Sequence, residues 1–134
     1  MHTRRSFLAG IAAAAAPGAV WKTAIGLNGF GSSERVFGKR YELDTILKFA
    51  KDDGFDGVEW WPFHSPYPDP ADDAAIRALR GKAESFGLRI FSIQASPRGA
   101  NPVGADPGVR QKYTELLKGQ IDLAKKLGCE AAGV

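Results

Sequence analysis

The chain is poor in the side chains from which most redox and metal sites are built. It has one cysteine, Cys129, and two histidines, His2 and His64, among 134 residues. A lone cysteine excludes an internal disulfide, and the position of Cys129 at the start of an apolar run reads as a structural thiol rather than a reactive one. With His2 in a leader segment, His64 and scattered carboxylates do not make a metal site. HExxH, paired CxxC, the phosphate-binding P-loop and the serine nucleophile elbow are also missing. Zinc-peptidase, nucleotide-hydrolysing and serine-hydrolase chemistries therefore have no foothold. A surplus of one charge is lacking too. The whole chain is +3, and without Arg4 and Arg5 sixteen basic residues face fifteen acidic ones, a net of +1. Such a balanced surface has no electrostatic footprint for nucleic acid, and no nucleic-acid partner is expected.

What the first residues do contain is a leader pattern. Thr3-Arg4-Arg5-Ser6-Phe7-Leu8 carries a twin-arginine export signature, followed by an alanine-rich apolar stretch from Leu8 to Ala16. That stretch falls short of the ~20 residues a spanning helix needs. Paired arginines, a short apolar segment and small residues for cleavage describe a signal peptide, here residues 1–22, cut between Ala14 and Ala24. The expected partner is the twin-arginine (Tat) export machinery and the expected location periplasmic or exported, membrane-anchored if the leader stays uncut. The competing reading is an alanine-rich helix packed on the domain.

Residues 23–134 have enough apolar material for one small domain, since the whole chain is 44% hydrophobic. Their strongest pattern is a repeat in which an alanine stands four residues before a glycine and a strand-like run follows. The units are Ala50…Gly54, Ala83…Gly87 and Ala124…Gly128, with glycines 33 and 41 residues apart. A helix closed by a glycine just past its last turn and followed at once by a strand is the joint of a β/α unit.

The full order predicted is β-α-β-α-β-α-β. Strands are expected over Ala24–Asn28, Asp56–Trp61 and Arg89–Ala95, with a last one opening after Gly128. A loop is expected over Gly29–Arg40. The first helix is expected over Glu42–Asp53, with Leu43, Ile46, Leu47 and Ala50 on one face. Asp69 with Pro70, or Asp72, opens the second helix, whose inner stripe is Ile76, Leu79, Ala83 and Phe86. Asp106-Pro107 opens the third, with Tyr113, Leu116, Leu117, Gln120, Ala124 and Leu127 inside. Right-handed crossovers then give parallel strands. Two α/β architectures fit, a (β/α)8 TIM barrel cut at its fourth strand or an open doubly wound sheet. The second usually carries a Gly-rich turn after strand one, and Gly29-Phe30-Gly31-Ser32-Ser33-Glu34 lacks the third glycine. The N-terminal half of a barrel, truncated, is the expected fold, and its bare fourth strand invites self-association.

In either architecture function gathers at the C-terminal strand ends. Alternation along the strands sends Ile25, Leu27, Val58, Trp60, Phe91, Ile93 and Ala95 toward the helices. Gly26, Asn28, Phe30, Glu59, Trp61, Ser92 and Gln94 are left facing inward, with His64 just above on a proline-punctuated loop. Asn28, Glu59, Trp61, His64 and Gln94 are therefore the candidate substrate-binding residues. Glu59 stands out because a carboxylate inside a barrel costs several kcal/mol unless paired or bound. It binds substrate hydroxyls or supports a metal ligand, or it accepts hydrogen bonds from a basic residue on a later strand. Trp60, Trp61, Phe63 and Tyr67 cluster at the same rim, where aromatic faces suit the C–H surface of a sugar ring. Arg98 either holds an anionic group or is a solvated charge.

Gly54-Phe55-Asp56-Gly57-Val58-Glu59 and Gly87-Leu88-Arg89-Ile90-Phe91-Ser92 resemble the lead-ins to the second and third strands of sugar phosphate isomerase/epimerase-like proteins. These are xylose-isomerase-type TIM barrels. Asp106–Val134 is similar to their third helix and the approach to their fourth strand. The resemblance implies a divalent metal (Mn²⁺, Mg²⁺, Co²⁺ or Zn²⁺) in the full-length parent, with ligands and catalytic acids from strands beyond Val134. None is expected to be bound by residues 1–134 alone, and only Glu59 matches a position that contributes to the family's sugar pocket. The implied activity is isomerisation or epimerisation of a small-molecule sugar by proton transfer. Export favours a non-phosphorylated sugar or keto-sugar, because free sugar phosphates are chiefly cytoplasmic. A sugar lyase or hydrolase on the same barrel, and a non-catalytic carbohydrate-binding protein, are the alternatives.

Overall fold

A computed structural model describes residues 22–62, 67–95 and 100–133. The leader, His64 and Arg98 lie outside the described residues, as does Phe63. The elements run β1 (Ala24–Gly26), α1 (Asn28–Phe37), α2 (Leu43–Asp52), β2 (Gly57–Trp60), α3 (Asp73–Glu84), β3 (Arg89–Gln94), α4 (Pro107–Leu127) and β4 (Ala131–Gly133). The strands form one sheet in the order β1-β2-β3-β4, and every pairing is parallel. This is the strand order of consecutive β/α units laid side by side, a partial barrel. Among the described residues no helix is long and apolar enough to cross a membrane.

The three Ala-x-x-x-Gly units close in the same way. Gly54, Gly87 and Gly128 have φ of 84°, 70° and 76°, a left-handed backbone that side chains with a Cβ resist. Each glycine N–H donates to the carbonyl three residues back. The next residue donates to the alanine itself: Phe55 to Ala50 at 3.0 Å, Leu88 to Ala83 at 3.1 Å, Cys129 to Ala124 at 2.9 Å. This pair of bonds satisfies helix-end carbonyls and turns the chain straight into the next strand. The three alanines are buried. At the other helix ends, Asp72 Oδ1 accepts from Ala75 N–H at 2.9 Å and Asp106 Oδ1 from Gly108 N–H at 2.7 Å. Of the two expected starts for α3, Asp72 is therefore the cap, while Asp69 serves the preceding turn by accepting from Ala71 N–H.

The core lies on one face of the sheet. Val58, Trp60, Ile90 and Ile93 pack there with Ile46, Leu47 and Ala50 of α2, Ile76 and Ala83 of α3, and Leu123, Ala124 and Leu127 of α4. Each valine, leucine or isoleucine among them contributes about 1.5–3 kcal/mol on burial. Cys129 is half-buried against this cluster, and burial pushes its thiol up to about 11. That suits a packing role.

Several expectations fail for identifiable reasons. The loop expected over Gly29–Arg40 is largely helix α1, a segment with no buried residue and no side-chain N-cap, so nothing in its pattern marks a stripe or a start. Phe30 accordingly points toward neither strand end nor pocket. Its ring meets Tyr41 and Phe49 edge-on at 5.9 and 6.5 Å. In α4, Leu116 is exposed and Leu123 takes the buried place. Phe91 departs because β2 and β3 pair irregularly. Val58 faces Ile90, Glu59 faces Ser92, and Phe91 is the extra residue of a bulge. A Cβ at Gly57 would stand 2.7 Å from the Phe91 ring and closer still to the Arg89 carbonyl oxygen. Phe91 therefore lies on the face that Gly57 shares with Glu59, away from the helices.

Tyr67 ties the sheet at its functional end. Its hydroxyl lies 2.7 Å from the Trp60 carbonyl oxygen and 3.1 Å from that of Gln94, donating its single proton across the ends of β2 and β3. Burial pushes its pKa well above the ordinary phenol range.

Two stability measurements check this description. Gly57→Ala should cost about 2–4 kcal/mol in urea unfolding, because the obstructing atoms include backbone that cannot swing away. A change within experimental error would refute the close approach. Tyr67→Phe should cost about 1–2 kcal/mol near neutral pH. Because the folded-state pKa is raised, the protonated Tyr67 contributes fully below about pH 10, and its contribution is lost as pH rises beyond the unfolded value. The gap between wild type and Tyr67→Phe should therefore narrow in alkaline unfolding. A constant gap would show that the hydroxyl is not the linked group.

Candidate functional site

The face of the sheet opposite the core carries the inward row. Gly26 opens it on β1: a Cβ there would lie 3.2 Å from Asn28 Oδ1 and 3.8 Å from Glu59 Oε1. The missing side chain leaves room between an amide and a carboxylate that face the same point. Glu59 itself is half-buried, and its Oε2 accepts from Ser92 Oγ at 3.1 Å. The hydroxyl directly opposite on β3, brought there by the bulge, is the carboxylate's partner among the described residues.

Above this pair, at the C-terminal strand ends, is a cleft of about 300 Å³ lined by Asn28, Gly29, Ser32, Trp61 and Gln94. Three of the five candidates from sequence, Asn28, Trp61 and Gln94, thus meet in one cavity, with Glu59 in the layer below. Each is placed by its element. Gln94 is the last residue of β3, Trp61 follows the last residue of β2, and Asn28 is the first residue of α1. Asn28 Oδ1 accepts from Gly29 N–H at 2.8 Å, which fixes the amide at the helix start. Among the described residues, Gln94 Oε1 is buried without a hydrogen-bond partner. Such a group costs about 1–3 kcal/mol until something donates to it. A ligand hydroxyl or an ordered water is the natural donor.

Ser32 and Gly29 enter the cleft unforeseen, because α1 was expected to be loop. The helical fold turns Ser32, one turn into α1, toward the strand ends. The interleaved Gly29, Gly31, Ser32 and Ser33 gave no helical signal. Trp60 faces the core, as its alternation required. Tyr67 does not line the cleft, and its hydroxyl is engaged by backbone carbonyls.

Among the described residues, the cleft is lined by two amides, a hydroxyl, an indole and backbone, with no ionisable side chain. Such a surface binds neutral polar molecules through hydrogen bonds and an aromatic face. Among the described residues no three His, Cys, Asp or Glu side chains converge to hold a metal ion. The residues present do not fit a metal centre by themselves.

Comparison with known proteins agrees with this architecture. No curated protein matches the chain. Among solved structures, the chain is similar to the probable 3-DHS dehydratase AsbF, involved in petrobactin synthesis, from Bacillus anthracis. The identity is 18% and the TM-score 0.53, over 84% of this chain and 37% of that one. The chain thus spans little more than a third of the length of that structure, and at this identity the likeness speaks to fold. Residues 47–133, more than half of the chain, match the family described as Xylose isomerase-like TIM barrel. With four parallel strands in barrel order and a polar cleft at their C-terminal ends, this chain belongs to the xylose isomerase-like TIM barrel family.

Proposed function

We propose that this chain forms the N-terminal part of the barrel of an exported sugar isomerase or epimerase. The enzyme would depend on a divalent metal and act on a non-phosphorylated sugar or keto-sugar by proton transfer. The observation that carries the substrate class is the buried Gln94 Oε1, without a partner among the described residues, in a cleft walled by Trp61. A sugar hydroxyl would donate to Gln94, Asn28 and Ser32 would take further hydroxyls, and the Trp61 indole would cover the C–H face of the ring. Glu59, held by Ser92 in the layer below, would accept from a hydroxyl that reaches through the gap at Gly26.

The metal and the groups that move the proton would come from strands other than these four. The neutral, polar lining among the described residues also suits a second reading. In it the barrel is a carbohydrate-binding protein without catalysis, which the same cleft would serve. Export rests on the Arg4-Arg5 leader, and recovery of the protein only from the cytoplasm, uncut, would remove that part of the proposal.

Titration of neutral aldoses, ketoses and their phosphates into the chain, followed by tryptophan fluorescence and calorimetry, checks the reading. Neutral sugars should bind, and Trp61→Ala and Gln94→Ala should each weaken binding by about tenfold or more, from the loss of ~1–3 kcal/mol. Binding that neither substitution changes would place the ligand elsewhere. A preference for the phosphorylated forms would overturn the neutral-substrate assignment.

A further inference from the structure

Three observations single out the point beside Gly26. Two oxygens converge on it, since a Cβ at Gly26 would lie 3.2 Å from Asn28 Oδ1 and 3.8 Å from Glu59 Oε1. Asn28 lines the cleft, so the point opens from it. Both oxygens also retain capacity to accept. Glu59 takes the Ser92 hydroxyl on its other oxygen, Oε2, and Asn28 Oδ1 accepts from Gly29 N–H with a second lone pair to spare. Finally, the Glu59 carboxylate enters no ion pair among the described residues. Arg89, at the start of β3, is turned instead to Glu130 at 3.5 Å and lies over the Phe91 ring.

Proton count and charge decide what suits this point. A hydroxyl has one proton and serves only one of the two acceptors. Water has two and serves both, but brings no charge. A protonated amine has three, serves both, and supplies the positive charge that balances a half-buried carboxylate. An anion is repelled by the same carboxylate, and the start of α1 gives it no seat. There Gly29 N–H is taken by Asn28 Oδ1, and the N–H groups of Phe30 and Gly31 donate to the Leu27 carbonyl oxygen at 3.2 and 3.3 Å.

We propose that the point beside Gly26 is an ammonium subsite of the cleft, where Glu59 Oε1 and Asn28 Oδ1 together hold a protonated amine, so that the preferred ligands are amino sugars. The inference rests on the sugar reading above and deepens it. Gln94, Ser32 and Trp61 keep the hydroxyls and the ring face, while Glu59 sets which substituent is favoured. Glycine at position 26 is then a specificity determinant, because any side chain there would occupy the place of the amine.

Calorimetric titration of the chain with aldohexoses tests this, each sugar run beside its amino-deoxy analogues at carbon two, three or six and their N-acetyl forms. At least one amino sugar should bind about fivefold tighter than its parent, the scale of one exposed ion pair. Its N-acetyl form should lose that gain. Glu59→Gln, which keeps the shape and removes the charge, should bring amino and parent sugars to equal affinity. Gly26→Ala, which fills the point, should do the same and keeps the test decisive if Glu59→Gln fails to fold. Equal affinities in the wild-type chain overturn the inference and leave the sugar reading standing. A preference for the amine that survives both substitutions overturns it as well. An amino sugar bound through Glu59 while parent sugars fail to bind would strike the neutral-sugar reading alone, and no binding of either kind strikes both.

Discussion

The fold depends on one repeated piece of backbone chemistry, the donation of an N–H from the residue after each closing glycine to the alanine four residues before that glycine. A helix end leaves carbonyls with no internal partner, and burying them unpaired beside a sheet would be costly. At Gly54, Gly87 and Gly128 the left-handed turn answers this with the same two bonds. It also sets direction, because the chain leaves the turn already heading along the strand. The following residue, Phe55, Leu88 or Cys129, packs on the core as it leaves. Three equal joints deliver β2, β3 and β4 in the same orientation. Parallel pairing and the gathering of all C-terminal strand ends on one side follow from that.

Burial is then strongly one-sided. The helix face of the sheet holds an apolar cluster, whereas the other face carries Gly26, Glu59, Ser92 and Gln94 together with Phe91. The polar row is held without any buried charged pair. Glu59 uses a serine hydroxyl across the strand, and Tyr67 secures the β2 and β3 ends through their carbonyl oxygens. These are short-range, neutral or singly charged contacts, so the cleft above them is defined by rigid strand ends rather than by long side chains.

What was legible in the sequence was what leaves a periodic or stereochemical trace. The glycine joints, the Asp106-Pro107 cap, the stripe Ile46–Leu47–Ala50 and the alternation Val58–Glu59–Trp60 each rest on a constraint local to a few residues, and each reappears in the structure. The family resemblance rested on the same joints. Phe91 was misplaced because alternation assumes regular pairing, and a bulge is decided by the partner strand. Here Gly57 makes room for the displaced ring. The inner face of α4 was misread at Leu116 because a long helix extends past the sheet it covers, so apolar periodicity continues where there is nothing to bury it. Asn28, Trp61 and Gln94 converge as strand parity required. The contribution of Ser32 was illegible, since it depends on a helix that buries none of its residues.

That helix, α1, stands outside the crossover scheme. The passage from β1 to β2 is made by α2, which has the buried stripe and the glycine joint, while α1 lends Asn28, Gly29 and Ser32 to the cleft and sets only the half-buried Phe30 against the core. α1 thus adds to the cleft with little share in the core, while Trp61 and Gln94 bring the rest of the lining from the strand ends. Substitutions at Gly29 and Ser32 can change what the cleft accepts while the sheet, its joints and its core stay as they are, whereas Phe30 is tied to Tyr41 and Phe49. In engineering terms Gly29 and Ser32 are the first positions to randomise, with Phe30 left in place.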